Sequence, residues 1–281
     1  MNARQGGFTL VEMVVAIAVS AIVVGFMSLF MVSPVQAYLA QERRTELADS
    51  ANSAMRMIES DVRSAVPESV RFASVGGRLA MELLYAEDVV RYRSGGAPQD
   101  LTIASDTTFS ALGRFTRVAP GTYLDRYLVV GHSVSGGDAY NPVSNVITPM
   151  GTSIRIDPEI PGTGEQVVTL GSAMTFAQES PTRSVFFVRE PVSYVCNPAT
   201  GRITRFWNYP ISANQLAHAT EAQLTALGAS SALVAQDVTA CTFQPTASTA
   251  FYGGLIRIRM TFARNGETVE VFDQAQVEYR P

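Results

Sequence analysis

Apolar and polar positions divide this chain into three regimes. From residue 8 to residue 32 almost every position is apolar, broken only by Thr9, Ser20, Ser28 and one charge, Glu12. Further on, Leu47, Ala51, Ala54, Met55, Ile58, Val62, Ala65 and Val66 recur at spacings of three and four, the mark of one buried helical face. Arg43, Arg44, Glu46, Asp49, Asn52, Arg56, Glu59 and Arg63 fill positions between them, and Pro67 ends the pattern. The two stretches predict one helix over residues 8–66, about 90 Å long at 1.5 Å per residue. Pro34 is expected to kink it or melt a turn.

Beyond Pro67 the period changes from helical to alternating. Strands are predicted at 127–130, 153–156, 166–170, 184–189, 192–196 and 202–207, separated by loops rich in glycine, proline, serine and asparagine. A hairpin is expected between 78–84 and 88–93, turning at Ala86-Glu87. The clearest hairpin comes last. Ile256, Ile258, Met260 and Phe262 alternate with Arg257, Arg259 and Thr261, and Asn265-Gly266, a preferred type I′ turn, leads into Val269 and Val271. Phe272 and Asp273 then break the alternation, which predicts a bulge. A long amphipathic helix followed by antiparallel strands implies an α+β domain whose sheet packs on the helix.

Glu12 is the anomaly in the first regime. The apolar run is long enough to span a bilayer, and a carboxylate there costs on the order of 2–4 kcal/mol. The helical pattern continues past the run, which does not fit a secretory signal peptide and its cleavage site. Arg4 precedes the run and places the first residues in the cytoplasm. The segment Arg4-Gln5-Gly6-Gly7-Phe8-Thr9-Leu10-Val11-Glu12 resembles the processing site of type IV prepilins and of the pseudopilins of type II secretion. The resemblance implies cleavage between Gly7 and Phe8 by a membrane-embedded prepilin peptidase, then N-methylation of Phe8. Residues 1–7 would be the leader, 8–34 the transmembrane and filament-core helix, 35–66 its amphipathic continuation, and 67–281 a β-rich periplasmic domain. Glu12 would then be a counter-charge for the new amino terminus. Within one helix the two lie roughly 6 Å apart along the axis. Between staggered helices of a filament they can meet, and a paired charge in low dielectric costs far less than two unpaired ones.

Composition narrows the partners. The chain has 281 residues and a formal net charge of −4. All 21 basic residues are arginines, and they are scattered, with Arg43-Arg44 the lone adjacent pair. That argues against a nucleic-acid groove, which needs a basic patch or stripe. Two cysteines, Cys196 and Cys241, are too few for a zinc or iron–sulfur site. In an exported domain the simpler reading is one disulfide, and the chain-entropy model gives it roughly 4 kcal/mol for a loop of about 45 residues. No cofactor is expected.

Finer similarities point within the family. Residues 54–71, with 192–196, 201–207 and 238–243 around the cysteines, are similar to minor pilins of the MshO type from the mannose-sensitive haemagglutinin (MSHA) pilus system. That resemblance implies a low-abundance subunit near the filament tip that helps start assembly, with a possible role in adhesion. Its partners would be the prepilin peptidase, other major and minor pilins, the inner-membrane assembly platform and inner-membrane lipid. The J-type minor pseudopilin of type II secretion is the alternative.

Enzymatic readings are weaker. Residues 128–137 resemble the Gly-x-Ser-x-Gly elbow of serine hydrolases, but Ser135 stands where the second glycine belongs. A triad in chain order would be Ser133, Asp157 and His218, the remote alternative of a membrane-anchored hydrolase. Asp157, Glu159 and Asp237 supply oxygen atoms of the kind calcium takes, without the spaced run of ligands that defines a site. The aromatic group Tyr194, Phe206, Trp207 and Tyr209 is read as core by default, with an exposed patch for a neighbouring pilin or a receptor as the other possibility.

Overall fold

The computed structural model describes residues 7–95, 99–121, 123–133, 137–245 and 254–277, and of residues 28–34 and Tyr123 the backbone alone. The leader residues 1–6 and positions 134–136 of the elbow-like stretch lie outside the described residues.

One helix, α1 (Leu10–Arg63), takes up 54 residues at the amino end. It runs unbroken through Pro34, so the expected interruption does not melt a turn. A proline inside a helix removes a single donor, and intact turns on both sides can absorb that loss. The helix ends three residues before the periodicity predicts. Ser64 closes it, its backbone N–H reaching Asp61 O at 3.1 Å and Ser60 O at 3.3 Å. Ala65 and Val66 are buried as expected, but as extended residues. Val66 N donates to Leu84 O (2.9 Å) and Ala86 N to Ser64 O (2.8 Å), so the chain joins the sheet at once.

The strands are β1 (Arg71–Val75), β2 (Arg78–Tyr92), β3 (Asp106–Leu112), β4 (Tyr123–Asp125), β5 (Tyr127–Val130), β6 (Ser153–Ile156), β7 (Glu165–Met174), β8 (Ser184–Asn197), β9 (Arg202–Trp207), β10 (Ser230–Gln236), β11 (Val238–Pro245), β12 (Leu255–Arg264) and β13 (Glu267–Gln276); a short helix, α2 (Glu221–Ala226), precedes β10. Among the described residues they form an antiparallel ten-stranded sheet and a three-stranded sheet, β11-β12-β13. The backbone of the large sheet reads β10-β9-β8-β2-β3-β7-β6-β4, with β1 added beside β2 and β5 beside β8.

Three expectations fail here. The hairpin turning at Ala86-Glu87 is instead one long strand, β2, whose register against β8 shifts between Tyr85 and Asp88. The true hairpin turn is Gly76-Gly77, joining β1 to β2, with φ of 58° and 76°. Those two positive angles favour glycine. Likewise 184–189 and 192–196 are parts of one strand, β8, continuous across Glu190 and Pro191. The bulge expected after Val271 is absent, and β12 and β13 stay in register from Arg264↔Glu267 to Leu255↔Gln276. Phe272 points to the outer face, where Arg259 lies over its ring at 5.6 Å, and Asp273 takes the alternate face.

The long strands β2 and β8 connect two cores. In the first, Leu47, Ala51, Met55, Ile58 and Val62 of α1 pack on Met81 and Tyr194 of the large sheet and on Ile258, Met260 and Phe262 of the small one. The second lies under β3, β5, β6 and β7, around Phe109, Leu128, Val168 and Phe187. Cys196 of β8 and Cys241 of β11 form a disulfide with Cα atoms 6.6 Å apart, so the bond ties the two sheets together.

Candidate functional site

The predicted site residues at the amino end lie on an uncovered helix. Thr9 is the N-cap of α1, extended at φ −84° and ψ 150°, and its Oγ1 accepts from Glu12 N at 3.3 Å. Glu12 therefore sits at the third helical position, the Thr-x-x-Glu spacing of a capping box. A carboxylate in the first turn gains about 0.3–1 kcal/mol from the helix dipole. Burial in hydrocarbon costs more, on the order of 2–4 kcal/mol. The local contribution is smaller than that cost. Among the described residues no ion pair to its carboxylate is formed within the chain.

Gly7 and Phe8 are equally unexplained by the fold. A Cβ placed on Gly7 would meet nothing within 4 Å, and its φ is not in the left-handed region. Among the described residues no packing or backbone requirement holds glycine there. Phe8 is 77% exposed. The segment Leu10–Met27 has a mean hydropathy of 2.5 and none of it is buried, so it is long and apolar enough to cross a membrane.

Residues 2–28 match the family model described as the prokaryotic N-terminal methylation motif. No curated protein and no solved structure matches the chain. An apolar amino-terminal helix followed by an antiparallel β domain is the α+β arrangement of a type IV pilin-like fold. The motif supports a pilin or pseudopilin subunit, processed by a prepilin peptidase and assembled with other pilins, a class that is structural.

The other candidates are dispersed. Ser133 bridges to Gly137 and lies 3.4 Å from Gln178 Nε2. Asp157 pairs with Arg155 at 2.8 Å, and His218 Nδ1 meets Glu82 at 3.0 Å. Neither Asp157 nor His218 bonds to the other or to Ser133, so the three form no relay. The described chain after the turn makes a short 3-10 segment, Pro142–Ser144, and not the helix that the elbow needs. The three carboxylates considered for calcium each face an arginine: Asp157 with Arg155, Glu159 with Arg114, Asp237 with Arg264. Of the aromatic group, Tyr194, Phe206 and Tyr209 are core, while Trp207 is half-buried.

One constellation escaped the sequence reading. Glu82 is fully buried, and Arg71 pairs with it at 2.6 Å; His218 and the Tyr209 hydroxyl (3.2 Å) hold its other oxygen. Arg71 also donates to Ser212 O at 2.6 Å and lies over the Tyr140 ring at 3.5 Å. Burial first, then the Glu82 charge, push the Tyr209 phenol well above its ordinary range. The partners are 11 and more than 120 residues apart in sequence, so no spacing announces them. Arg71, Tyr209 and His218 all meet the Glu82 carboxylate, and the cluster pins the 208–220 loop to the sheet.

Proposed function

We propose that this chain is a minor pilin of a type IV pilus, of the MSHA type and closest to the MshO kind, which takes part in initiating assembly near the filament tip. The reading rests above all on Gly7-Phe8 followed by Glu12 at the head of an exposed apolar helix that runs unbroken into the globular domain. Residues 1–7 are the leader, residues 8–34 span the inner membrane, and the domain beyond faces the periplasm until the subunit enters the filament. Phe8 carries the methylated amino terminus, and Glu12 neutralises that of an adjacent subunit. The J-type pseudopilin shares this processing site. Rescue of piliation against rescue of secretion, in strains lacking each minor subunit, separates the two.

The test is mass spectrometry of the protein recovered from membranes. The expected chain begins at N-methylated Phe8, and Gly7→Val leaves the precursor uncut. Retention of Met1, or a cut beyond the apolar run, would overturn the proposal.

A further inference from the structure

Nothing in the domain covers the first part of α1. Val35, Tyr38 and Leu39 stand open, Tyr38 at 70% exposure, and Leu47 is the first of the described helix residues to be buried. Leu47 lies about 14 Å beyond Tyr38 along the axis, so the domain begins well clear of that tyrosine. Between Glu12 and Glu42 the chain carries no charge, and Tyr38 is the one tyrosine in that stretch. The helix is continuous from Glu12 to Tyr38, and its rise over that span is about 39 Å. A bilayer measures about 30 Å through its hydrocarbon and about 40–45 Å with both headgroup layers. The two residues are thus as far apart as the two headgroup layers.

The apolar run, residues 8–32, is longer than the hydrocarbon is thick, so the helix must tilt or settle toward one side. With residues 8–27 in hydrocarbon, Glu12 is buried at a cost of up to about 2–4 kcal/mol. With residues 15–34 there instead, Glu12 reaches the headgroups. The apolar residues exchanged between these depths nearly balance: Phe8, Leu10, Val11, Met13 and Val14 against residues 29–32. The start of the helix then decides with Glu12. Thr9 O accepts from Glu12 N and Met13 N at 3.1 and 3.2 Å, while the N–H groups of Leu10 and Val11 have no acceptor among the described residues. An unmet backbone group in hydrocarbon costs several kcal/mol, and at headgroup level water meets it. Both effects favour the outward depth. At the other end, a tyrosine has an apolar ring and a polar tip and suits the interface.

We infer that Glu12 and Tyr38 are the two interfacial anchors of α1 in a lipid bilayer, Glu12 in the cytoplasmic headgroup layer and Tyr38 in the periplasmic one, with residues 15–34 in the hydrocarbon. The inference rests on the membrane-spanning reading above and sets the depth within it. Glu12 is then hydrated in the unassembled subunit, and its desolvation falls on the step that carries the helix into a filament.

The full chain, its disulfide intact, is reconstituted in vesicles of phosphatidylethanolamine and phosphatidylglycerol. Nitroxide labels are placed singly through Val11→Cys, Val24→Cys and Leu39→Cys, with Asp49→Cys as an open-water reference. Relaxation by oxygen and by a water-soluble nickel chelate on both sides reports the depth of each label. The label at 24 is expected to respond to oxygen alone. The labels at 11 and 39 should respond to nickel to similar extents, both less than the reference. Combining Glu12→Val with Tyr38→Ser removes both anchors, and should draw the label at 11 out of nickel reach and move that at 39 into water. In the parent chain, a shielded label at 11 beside a fully exposed one at 39 would overturn the proposal, as would labels that stay in place in the double variant. Full nickel access at 11, 24 and 39 alike would overturn the membrane span itself, a failure distinct from a wrong depth.

Discussion

Arg205 of β9 donates from Nε to Asp61 on the last turn of α1 at 2.6 Å, joining helix to sheet through a nearly buried carboxylate. The Tyr194 hydroxyl donates to the same oxygen at 2.7 Å. Burial and the Asp61 charge hold that phenol far above its ordinary range. Removing one partner of such a pair leaves the other desolvated and uncompensated, at about 3–5 kcal/mol. Asp61→Ala is expected to approach that loss in urea unfolding of the oxidised protein. Tyr194→Phe should cost about 1 kcal/mol, the worth of one hydrogen bond. Equal, negligible effects would show that the latch contributes nothing.

A second prediction concerns the bond between sheets. Cys196→Ser with Cys241→Ser should lower stability by roughly 2–5 kcal/mol. In the wild type, non-reducing peptide mapping should recover the two cysteines in one linked fragment. Two free thiols in protein taken from the periplasm would contradict the structure.

Acidity should matter where α1 meets β13. A hydrogen bond donated to the Asp273 carboxylate, then burial, push the Glu59 carboxyl from 4.5 up to about 7, while Asp273 is pushed below its ordinary value by the same bond. The proton sits on Glu59. A raised carboxyl favours the fold below its unfolded value and loses that contribution as pH climbs through its folded value. The Asp273 contribution moves only at lower pH. Stability should therefore decline between about pH 4.5 and pH 7. Glu59→Gln, which cannot ionise, should flatten that slope. Unfolding midpoints measured across the window decide it, and an unchanged slope in the variant would reject the assignment.

The fourth prediction separates the two roles open to Glu12. Thr9→Ala removes the cap bond and should cost about 1 kcal/mol of local helix stability, with processing and assembly retained. Glu12→Val should leave insertion and cleavage intact, since a charge is removed from the apolar run. Incorporation beside partner pilins should fail, because an unpaired cation would remain among the helices at several kcal/mol. Co-purification with other pilins and a count of filaments test this. Equal recovery for wild type and Glu12→Val would remove the pairing role.

Periodicity made the helix and its buried face legible, since Leu47, Ala51, Met55, Ile58 and Val62 all pack in the first core. It could not show where the helix stops, because Ala65 and Val66 are apolar whether helical or extended. Asn265-Gly266 marked its hairpin for a local reason, both residues having positive φ. Gly76-Gly77 carries the same local signal, whereas neither Ala86 nor Glu87 has a positive φ. Continuity of β2 is decided by its partner: β8 runs opposite it for the full length, and tertiary pairing absorbs Glu87 as an irregularity. The amino-terminal motif is readable because its residues are contiguous. The Glu82 cluster is not, because distant segments create it.

The burial of residues 47–62 against both sheets also sets how the domain would respond to tension. A pull along α1 from its apolar end loads that packed face in shear, so many side-chain contacts must yield together rather than one after another. The bonds from Val66 to Leu84 and from Ala86 to Ser64 carry the same load directly into β2. The covalent tie between β8 and β11 prevents the sheets from parting around the helix. β13, an edge strand, is held to β12 by an unbroken backbone ladder and meets α1 through side chains alone, so under such a pull its contact with the helix would yield before its place in the sheet.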